Sequence, residues 1–187
     1  RWYNLPAHKT DMNFFGKIQQ QLSDGLFAFG DMQVRDVVYK INGFRKNPTV
    51  QSDNHYTFFN PKLGLSYILK HDYNASSKIF TSYAIANKEP NREDFEASPD
   101  NTPRHETLYD VETGYQFNAV NYFLGIIGYY MKYNNQLILS GKINDVGAYV
   151  RTNVKDSYRA GIELTGSARF TDWVILDANA TFSKNKI

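Results

Sequence analysis

Apolar and polar residues alternate along much of the chain, most clearly over residues 106–133, where the pattern predicts two β-strands joined by a tight turn. The first strand has an apolar and a polar face, formed by Tyr109, Val111, Thr113, Tyr115, Phe117 and by Asp110, Glu112, Gly114, Gln116. In the second strand we predict an apolar face and a face of glycine and polar residues, formed by Phe123, Ile127, Tyr129, Met131, Tyr133 and by Gly128, Tyr130, Lys132, Asn134. The hairpin alone suits a transmembrane barrel and half of a soluble β-sandwich equally well.

The same alternation predicts about eight strands in the whole chain, and no segment has a helical period. The predicted strands are residues 12–22, 26–41, 62–70, 78–87, 109–117, 123–133, 158–170 and 174–183. Short connections alternate with long ones: the short ones are 23–25, 71–77, 118–121 and 171–172, and the long ones are 42–60, 88–105 and 139–156. Short turns at one end and long loops at the other are typical of outer-membrane barrels. We therefore predict an all-β, antiparallel up-and-down meander that is part of a transmembrane β-barrel.

Composition agrees with this prediction and excludes several other classes. Aromatic residues make up 16% of the chain, whereas the mean hydropathy of −0.53 excludes a helical membrane protein. The most apolar run, residues 122–131, is about half of the roughly 20 residues that a spanning helix needs but matches a tilted spanning strand. The net charge of +2 is too small to indicate nucleic-acid binding. The absence of cysteine excludes disulfides and cysteine-ligated metals.

Several segments resemble the barrel of TonB-dependent outer-membrane receptors, and the Bacteroidetes type in particular. They are SYAIANKEPNREDF at residues 82–95, the later ETGYQF, MKYNNQLILSGKINDVGAYVRTNVKDSYRAGIEL and WVILDANATFSKNKI. The resemblance implies that residues 1–187 are a partial receptor barrel without its plug domain and C-terminal strands. No TonB box and no terminal aromatic residue are found, and a family barrel has 22 strands, so the chain is expected to be an internal fragment.

The resemblance also implies a function. It predicts a non-enzymatic transporter in the bacterial outer membrane that imports a scarce nutrient, such as a ferric siderophore, haem, cobalamin or a glycan. The implied partners are outer-membrane lipid, the receptor's own plug domain, the TonB complex and the small-molecule or glycan ligand, without a cofactor. No catalytic constellation or metal-ligand spacing is present. Asp110 and Glu112 are expected to line a wet lumen.

Loops carry binding residues on rigid scaffolds, so we expect the ligand to contact charged and aromatic residues of the long loops. The candidates are His55, Tyr56, Arg92, Glu93, Asp94, His105, Asn144, Asp145 and Arg151.

Two other functions fit the strand pattern. A stand-alone eight-stranded outer-membrane barrel, acting as an adhesin or structural protein, predicts pairing of the first and last strands. A soluble β-sheet module would use its aromatic face to stack on carbohydrate. An open sheet of eight strands also has two unpaired edges. We expect these edges to be covered by self-closure or by another copy of the chain.

Overall fold

The structure is a computed structural model that describes residues 4–44, 47–97, 102–143, 147 and 149–187. One antiparallel sheet contains eight strands, each paired with the next along the chain. The strands are Ala7–Ser23 (β1), Leu26–Asn42 (β2), Gln51–His71 (β3), Ala75–Lys88 (β4), Glu106–Ala119 (β5), Tyr122–Ile143 (β6), Tyr149–Arg169 (β7) and Ile175–Lys186 (β8). The predicted all-β meander is confirmed, with one short helix, Arg92–Ala97 (α1), added between β4 and β5. No helix in the described part of the chain has the length and apolar character needed to cross a membrane.

The short turns all lie at one end of the sheet, and local side chains stabilise them. Gly25 closes the first turn with a φ of 72°, a conformation that side chains disfavour. In the turn between β3 and β4, Asp72 accepts hydrogen bonds from the backbone N–H groups of Asn74 (3.0 Å) and Ala75 (2.8 Å). The hydroxyl of Thr171 does the same for the N–H of Val174 (3.0 Å) before β8. The β2–β3, β4–β5 and β6–β7 connections consequently share the opposite end, as predicted.

The strand register separates an apolar face from a polar face. One transverse row of the apolar face is Leu26, Tyr67, Ile79, Tyr115, Ile126, Leu164 and Ala180. One row of the polar face is Lys17, Asp31, Lys62, Ala84, Asp110, Met131, Arg159 and Asn185. Two chemically different faces on one sheet require two different environments.

The predicted faces of β6 are reversed in the structure. Tyr129 pairs with Glu112, and Ile127 pairs with Gly114, so both lie on the polar face. Tyr130 pairs with Val111 on the apolar face, where both side chains are exposed. The prediction was wrong because β6 has apolar residues on both faces, so its period could not decide which face matches that of β5. Only the register decides this.

Aromatic side chains on the polar face lie over glycines of the adjacent strand. A Cβ at Gly64 would fall within 3.0 Å of the Phe29 ring, and Gly114 and Phe80 form an equivalent pair. At Gly161 the neighbour is Tyr129, one of the residues whose face was predicted incorrectly. The glycines therefore provide the space that lets large rings lie flat on this face.

Two strand boundaries differ from the predicted loops. Residues 51–60 belong to β3 and pair with β2 from Gln51↔Asn42 to Asn60↔Gln33. Much of 139–156 likewise extends β6 and β7 into a long hairpin. These extensions carry polar residues on both faces, so they have strand geometry without an apolar period.

The edges of the sheet are not closed within this chain. Among the described residues β1 pairs only with β2, and β8 only with β7. Self-closure, one of the two ways in which we expected the edges to be covered, is therefore not found among these residues, and coverage of the edges by another copy stays a prediction.

Candidate functional site

The connection between β4 and β5 folds over the polar face at the long-loop end of the sheet. It carries α1, and its contacts reach β1 and β2 on one side and β7 on the other. Residues far apart in the sequence therefore meet on one side of the sheet.

An apolar cluster anchors α1 to β2. Phe95 is buried together with Ile41 and Phe44, and its ring meets that of Tyr39 edge to face at 6.1 Å. The Arg92 guanidinium lies 5.3 Å from the centre of the Phe44 ring. In a thin sheet, these residues supply one of the few buried clusters in the described part of the chain.

A charged cluster anchors the start of the same connection. The buried Glu89 carboxylate accepts hydrogen bonds from Lys9 Nζ at 2.7 Å and from Arg35 Nη1 and Nη2, both at 2.8 Å. Arg35 also donates to Asp11 from Nε at 2.9 Å. Burial opposes ionisation of Glu89, but the hydrogen bonds from Lys9 and Arg35 outweigh it and hold the pKa of Glu89 below its usual range. The carboxylate is therefore held in its charged form.

The far side of the connection contacts β7. Arg151 Nη1 lies 3.2 Å from Oδ1 of Asp94, whose side chain is only 2% exposed. The Asp94 Oδ2 atom accepts a hydrogen bond from the N–H of Asn91 at 2.7 Å. Farther along, two hydrogen bonds join Arg104 and Asn153. The backbone N–H of Arg104 donates to the side-chain oxygen of Asn153 at 2.8 Å, and the side-chain NH₂ of Asn153 donates to the carbonyl of Arg104 at 3.0 Å. The connection thus bridges two distant parts of the sheet.

Aromatic rings gather beside this bridge. The rings of Tyr56 and Phe58 stack with their centres 5.6 Å apart. The His105 ring packs edge to face against both, with its centre 6.2 Å from that of Tyr56 and 5.6 Å from that of Phe58. Tyr56 and His105 are only half-buried, so the cluster presents a ring surface and an imidazole on the polar face.

The structure brings together five of the predicted contact residues around this connection: Tyr56, Arg92, Asp94, His105 and Arg151. Glu93 is exposed on α1. His55 lies on the apolar-face side of β3, where its ring nitrogen is 2.7 Å from Asp36, so it is separated from Tyr56 by the sheet. Asn144 and Asp145 lie outside the described residues. Ligand contact by these nine residues stays a prediction.

Sequence reasoning missed the anchoring residues. Glu89 lies within a Lys-Glu-Pro triplet, and Phe95 is the last residue of segment 82–95, which resembles the receptor family. Neither residue has a contact partner near it in the sequence. Pairing of Glu89 with Lys9 and Arg35 depends on contacts 80 and 54 residues apart. Among the described residues, no group of three His, Asp or Glu side chains is arranged to hold a metal ion.

Comparison with known proteins gives a consistent family assignment. The family model described as "TonB dependent receptor-like, beta-barrel" matches residues 8–186. No curated protein matches the sequence.

Several solved structures have the same fold at low sequence identity. The copper transporter OprC superposes with a TM-score of 0.79 at 18% identity, over 96% of this chain and 30% of that chain. The FrpB iron transporter from Neisseria meningitidis has a TM-score of 0.70 at 16% identity, over 98% of this chain and 27% of that one. The ferric yersiniabactin uptake receptor FyuA from Yersinia pestis has a TM-score of 0.70 at 14% identity, with 96% and 27% coverage. The chain therefore spans less than a third of the length of these structures.

Proposed function

Because the chain belongs to the TonB-dependent receptor-like β-barrel family, we propose that it forms part of the wall of a longer receptor that imports a scarce nutrient. Receptors of this family lie in the outer membrane of Gram-negative bacteria. One observation carries the proposal: the β4–β5 connection turns inward and collects charged and aromatic residues on the polar face, at the long-loop end.

The apolar face supports the membrane assignment. On β6 the apolar face runs from Tyr122 through Leu124, Ile126 and Gly128 to Tyr130. These eight residue steps extend about 26 Å along the strand, close to the roughly 25 Å apolar band of outer-membrane barrels. Aromatic residues at both limits are typical of the two membrane interfaces. We propose that this face contacts lipid and therefore call it the outward face.

The polar face supports an internal plug as partner. Lys17, Lys62 and Lys78 line a depression near the short turns together with Glu112. In the described part of the chain none of the three lysines forms an ion pair, although Lys17 lies 5.8 Å from the centre of the Phe29 ring. Lysines that form no ion pair on a barrel's inner face suit contact with a polar plug domain.

The long-loop end supports ligand binding. Arg92 and Arg151 contribute guanidinium groups, and Tyr56 and His105 contribute half-buried rings. Guanidinium groups favour anionic oxygen ligands, so among the candidates a ferric siderophore or haem fits this surface better than a neutral glycan. His55 is left out of the proposed site because it lies on the outward face.

Uptake measurements with the full receptor test this function. Cells lacking the receptor gene are complemented with the wild type or with one variant. They are then supplied with a labelled ferric siderophore, haem, cobalamin or a labelled glycan. We expect wild-type receptor to restore uptake of one of these, and Tyr56→Ala and His105→Ala to weaken ligand binding about tenfold or more. His55→Ala is the matched control and is expected to bind as the wild type does. Wild-type ligand affinity in Tyr56→Ala and His105→Ala, as in the His55→Ala control, would remove the inner cluster from the site.

The mass of the native polypeptide separates this function from the alternatives. We expect an antibody against residues 149–158 to detect a protein several times heavier than the 21.6 kDa of this chain in outer-membrane extracts. A protein of 21.6 kDa would instead favour the small barrel or the soluble carbohydrate-binding module.

A further inference from the structure

Asn153 on β7 makes three hydrogen bonds to the backbone of two other segments. Its side-chain oxygen accepts a hydrogen bond from the N–H of Arg104 at 2.8 Å, and its NH₂ group donates to the carbonyl of Arg104 at 3.0 Å. The same NH₂ group donates to the carbonyl of Asn135 on β6 at 2.6 Å. Asn135 has a φ of 55°, a conformation that asparagine adopts more readily than most residues. The Asn153 side chain therefore joins the hairpin of β6 and β7 to the end of the β4–β5 connection.

This set of bonds requires a primary amide, which offers two N–H donors and an oxygen acceptor in one plane. In Asn153 both donors and the oxygen are used. The two bonds to Arg104 have the donor and acceptor arrangement of a hydrogen-bonded pair in an antiparallel ladder. A carboxylate has the same shape but donates nothing, so an aspartate at this position would direct an oxygen at two carbonyl oxygens. The arrangement therefore depends on the NH₂ group of Asn153.

The backbone of His105 is restrained on both sides. On its C-terminal side β5 begins at Glu106, which pairs with Lys88 of β4. On its N-terminal side the backbone of Arg104 is held by Asn153. His105 itself lies between these two restraints and belongs to neither strand. The hydrogen bonds to Asn153 therefore supply the restraint that the β5 ladder does not.

The position of His105 matters because its ring completes the aromatic cluster of the candidate site. The imidazole packs edge to face on Tyr56 and Phe58, which both belong to β3. In the described sheet β3 and β7 are four strand spacings apart, or about 19 Å, so the ladder does not join them directly. A hydrogen bond from β7 therefore fixes a residue whose ring contacts β3.

We propose that Asn153 is a positioning residue of the ligand site. Its hydrogen bonds hold the backbone before His105 in the place where the imidazole packs on Tyr56 and Phe58. Asn153 acts through His105 and does not bind the ligand with its N–H donors, because both are occupied by backbone carbonyls. The effect on ligand binding rests on the proposed function, whereas the effect on the position of the imidazole does not.

The reactivity of His105 toward diethyl pyrocarbonate tests its position in the purified full-length receptor. This reagent acylates accessible imidazoles, and mass spectrometry of peptides gives a separate rate for each histidine. A single hydrogen bond contributes roughly a fivefold factor to a local equilibrium, but the half-buried His105 is only partly protected to begin with. We therefore expect Asn153→Ala to raise the rate at His105 about threefold or more. The rate at His71, which is exposed at the short-turn end, should stay unchanged.

Two further variants make this result specific. Asn153→Asp keeps the shape and the acceptor but loses both N–H donors, so we expect it to react as Asn153→Ala does. Thr152→Ala truncates the preceding residue, whose side chain points to the opposite face of β7, and it should leave the rate at His105 unchanged. A wild-type rate at His105 in either Asn153 variant would overturn the proposal. An equal rise in Thr152→Ala or at His71 would also overturn it, because it would indicate a general loosening of the receptor.

Ligand affinity separates this inference from the proposed function. The probe is whichever of the labelled ferric siderophore, haem, cobalamin or glycan the wild-type receptor takes up. If Asn153 acts through His105, Asn153→Ala should weaken binding in the wild-type background and cause no further loss in His105→Ala. Equal losses in both backgrounds would contradict action through His105. A receptor that takes up none of the four compounds but shows the expected His105 reactivity contradicts only the import function.

Discussion

Replacing Phe95 with alanine should release the β4–β5 connection from the polar face without unfolding the sheet. The Phe95 side chain is 2% exposed and packs on Ile41 and Phe44. Truncating a buried phenylalanine to alanine costs about 3 to 5 kcal/mol. The connection is one local unit, so this cost falls mainly on its opening equilibrium and not on global unfolding.

The expected effect can be stated as an exchange rate. A loss of about 3 kcal/mol in opening free energy raises the open population, and with it amide hydrogen exchange, by roughly 150-fold. The N–H of Asp94 reports this opening because it donates to the carbonyl of Asn91 at 3.1 Å in the closed connection. Hydrogen exchange of the full receptor, followed by mass spectrometry of a peptide covering residues 89–97, measures the change.

Two comparisons make this result specific. Tyr73→Ala removes a ring that is 99% exposed in a turn at the opposite end, and it should leave exchange in residues 89–97 unchanged. Peptides from β5 should exchange at the wild-type rate in both variants, because their ladders with β4 and β6 remain. Wild-type exchange at residues 89–97 in Phe95→Ala would show that this cluster does not hold the connection closed. Faster exchange throughout the sheet would refute the idea of a local unit.

Two further predictions concern the charged anchor and the ring-covered glycines. Because the pKa of Glu89 is lowered in the folded state, its contribution is complete above the ordinary glutamate pKa of about 4.3 and is lost as the pH falls through the lowered folded value. Protease cleavage within residues 89–97 should therefore rise in strongly acidic buffer for the wild type. Glu89→Gln should weaken this dependence of cleavage on pH. Identical pH dependence in the two proteins would contradict the role of Glu89 as the charged anchor. A methyl group at Gly114 would collide with the Phe80 ring and crowd the Ile126 carbonyl, so Gly114→Ala should destabilise the barrel by about 1 to 3 kcal/mol. Gly128→Ala is its control, because the nearest atom to an added Cβ is 3.8 Å away, and denaturant unfolding in micelles should separate the two variants.

The strands could be predicted where one face is apolar, as in the β5 alternation of Tyr109 to Phe117. They could not be delimited where polar residues occur on both faces, as in residues 51–60, because such a segment lacks a continuous apolar period. β6 shows the opposite difficulty, since Tyr129 and Tyr130 are both aromatic and face opposite sides. Strands could therefore be predicted from the alternation of apolar and polar residues within one strand. Assigning their faces required the pairing between neighbouring strands.

The candidate site was predictable only in part for the same reason. Arginine and histidine in the predicted long loops were chosen as candidates for ligand contact, and the structure gathers Arg92, His105 and Arg151 around one connection. His55 and Tyr56 were adjacent candidates, but period two sends adjacent residues to opposite faces of β3. Glu89 and Phe95 had no local signal because their partners come from β1 and β2.

The bridge formed by α1 also explains how a site can form on the inside of a curved wall. Phe95 contacts β2 while the preceding residue, Asp94, contacts β7. Along a flat sheet these strands would be five spacings apart, or about 24 Å, whereas a helix of six residues is only about 9 Å long. The contacts are possible because the sheet curves and the extended ends of β2 and β7 approach each other across its concave side. Curvature of the wall therefore brings the residues of the candidate site together, and the inward connection joins strands that the hydrogen-bonded ladder keeps far apart.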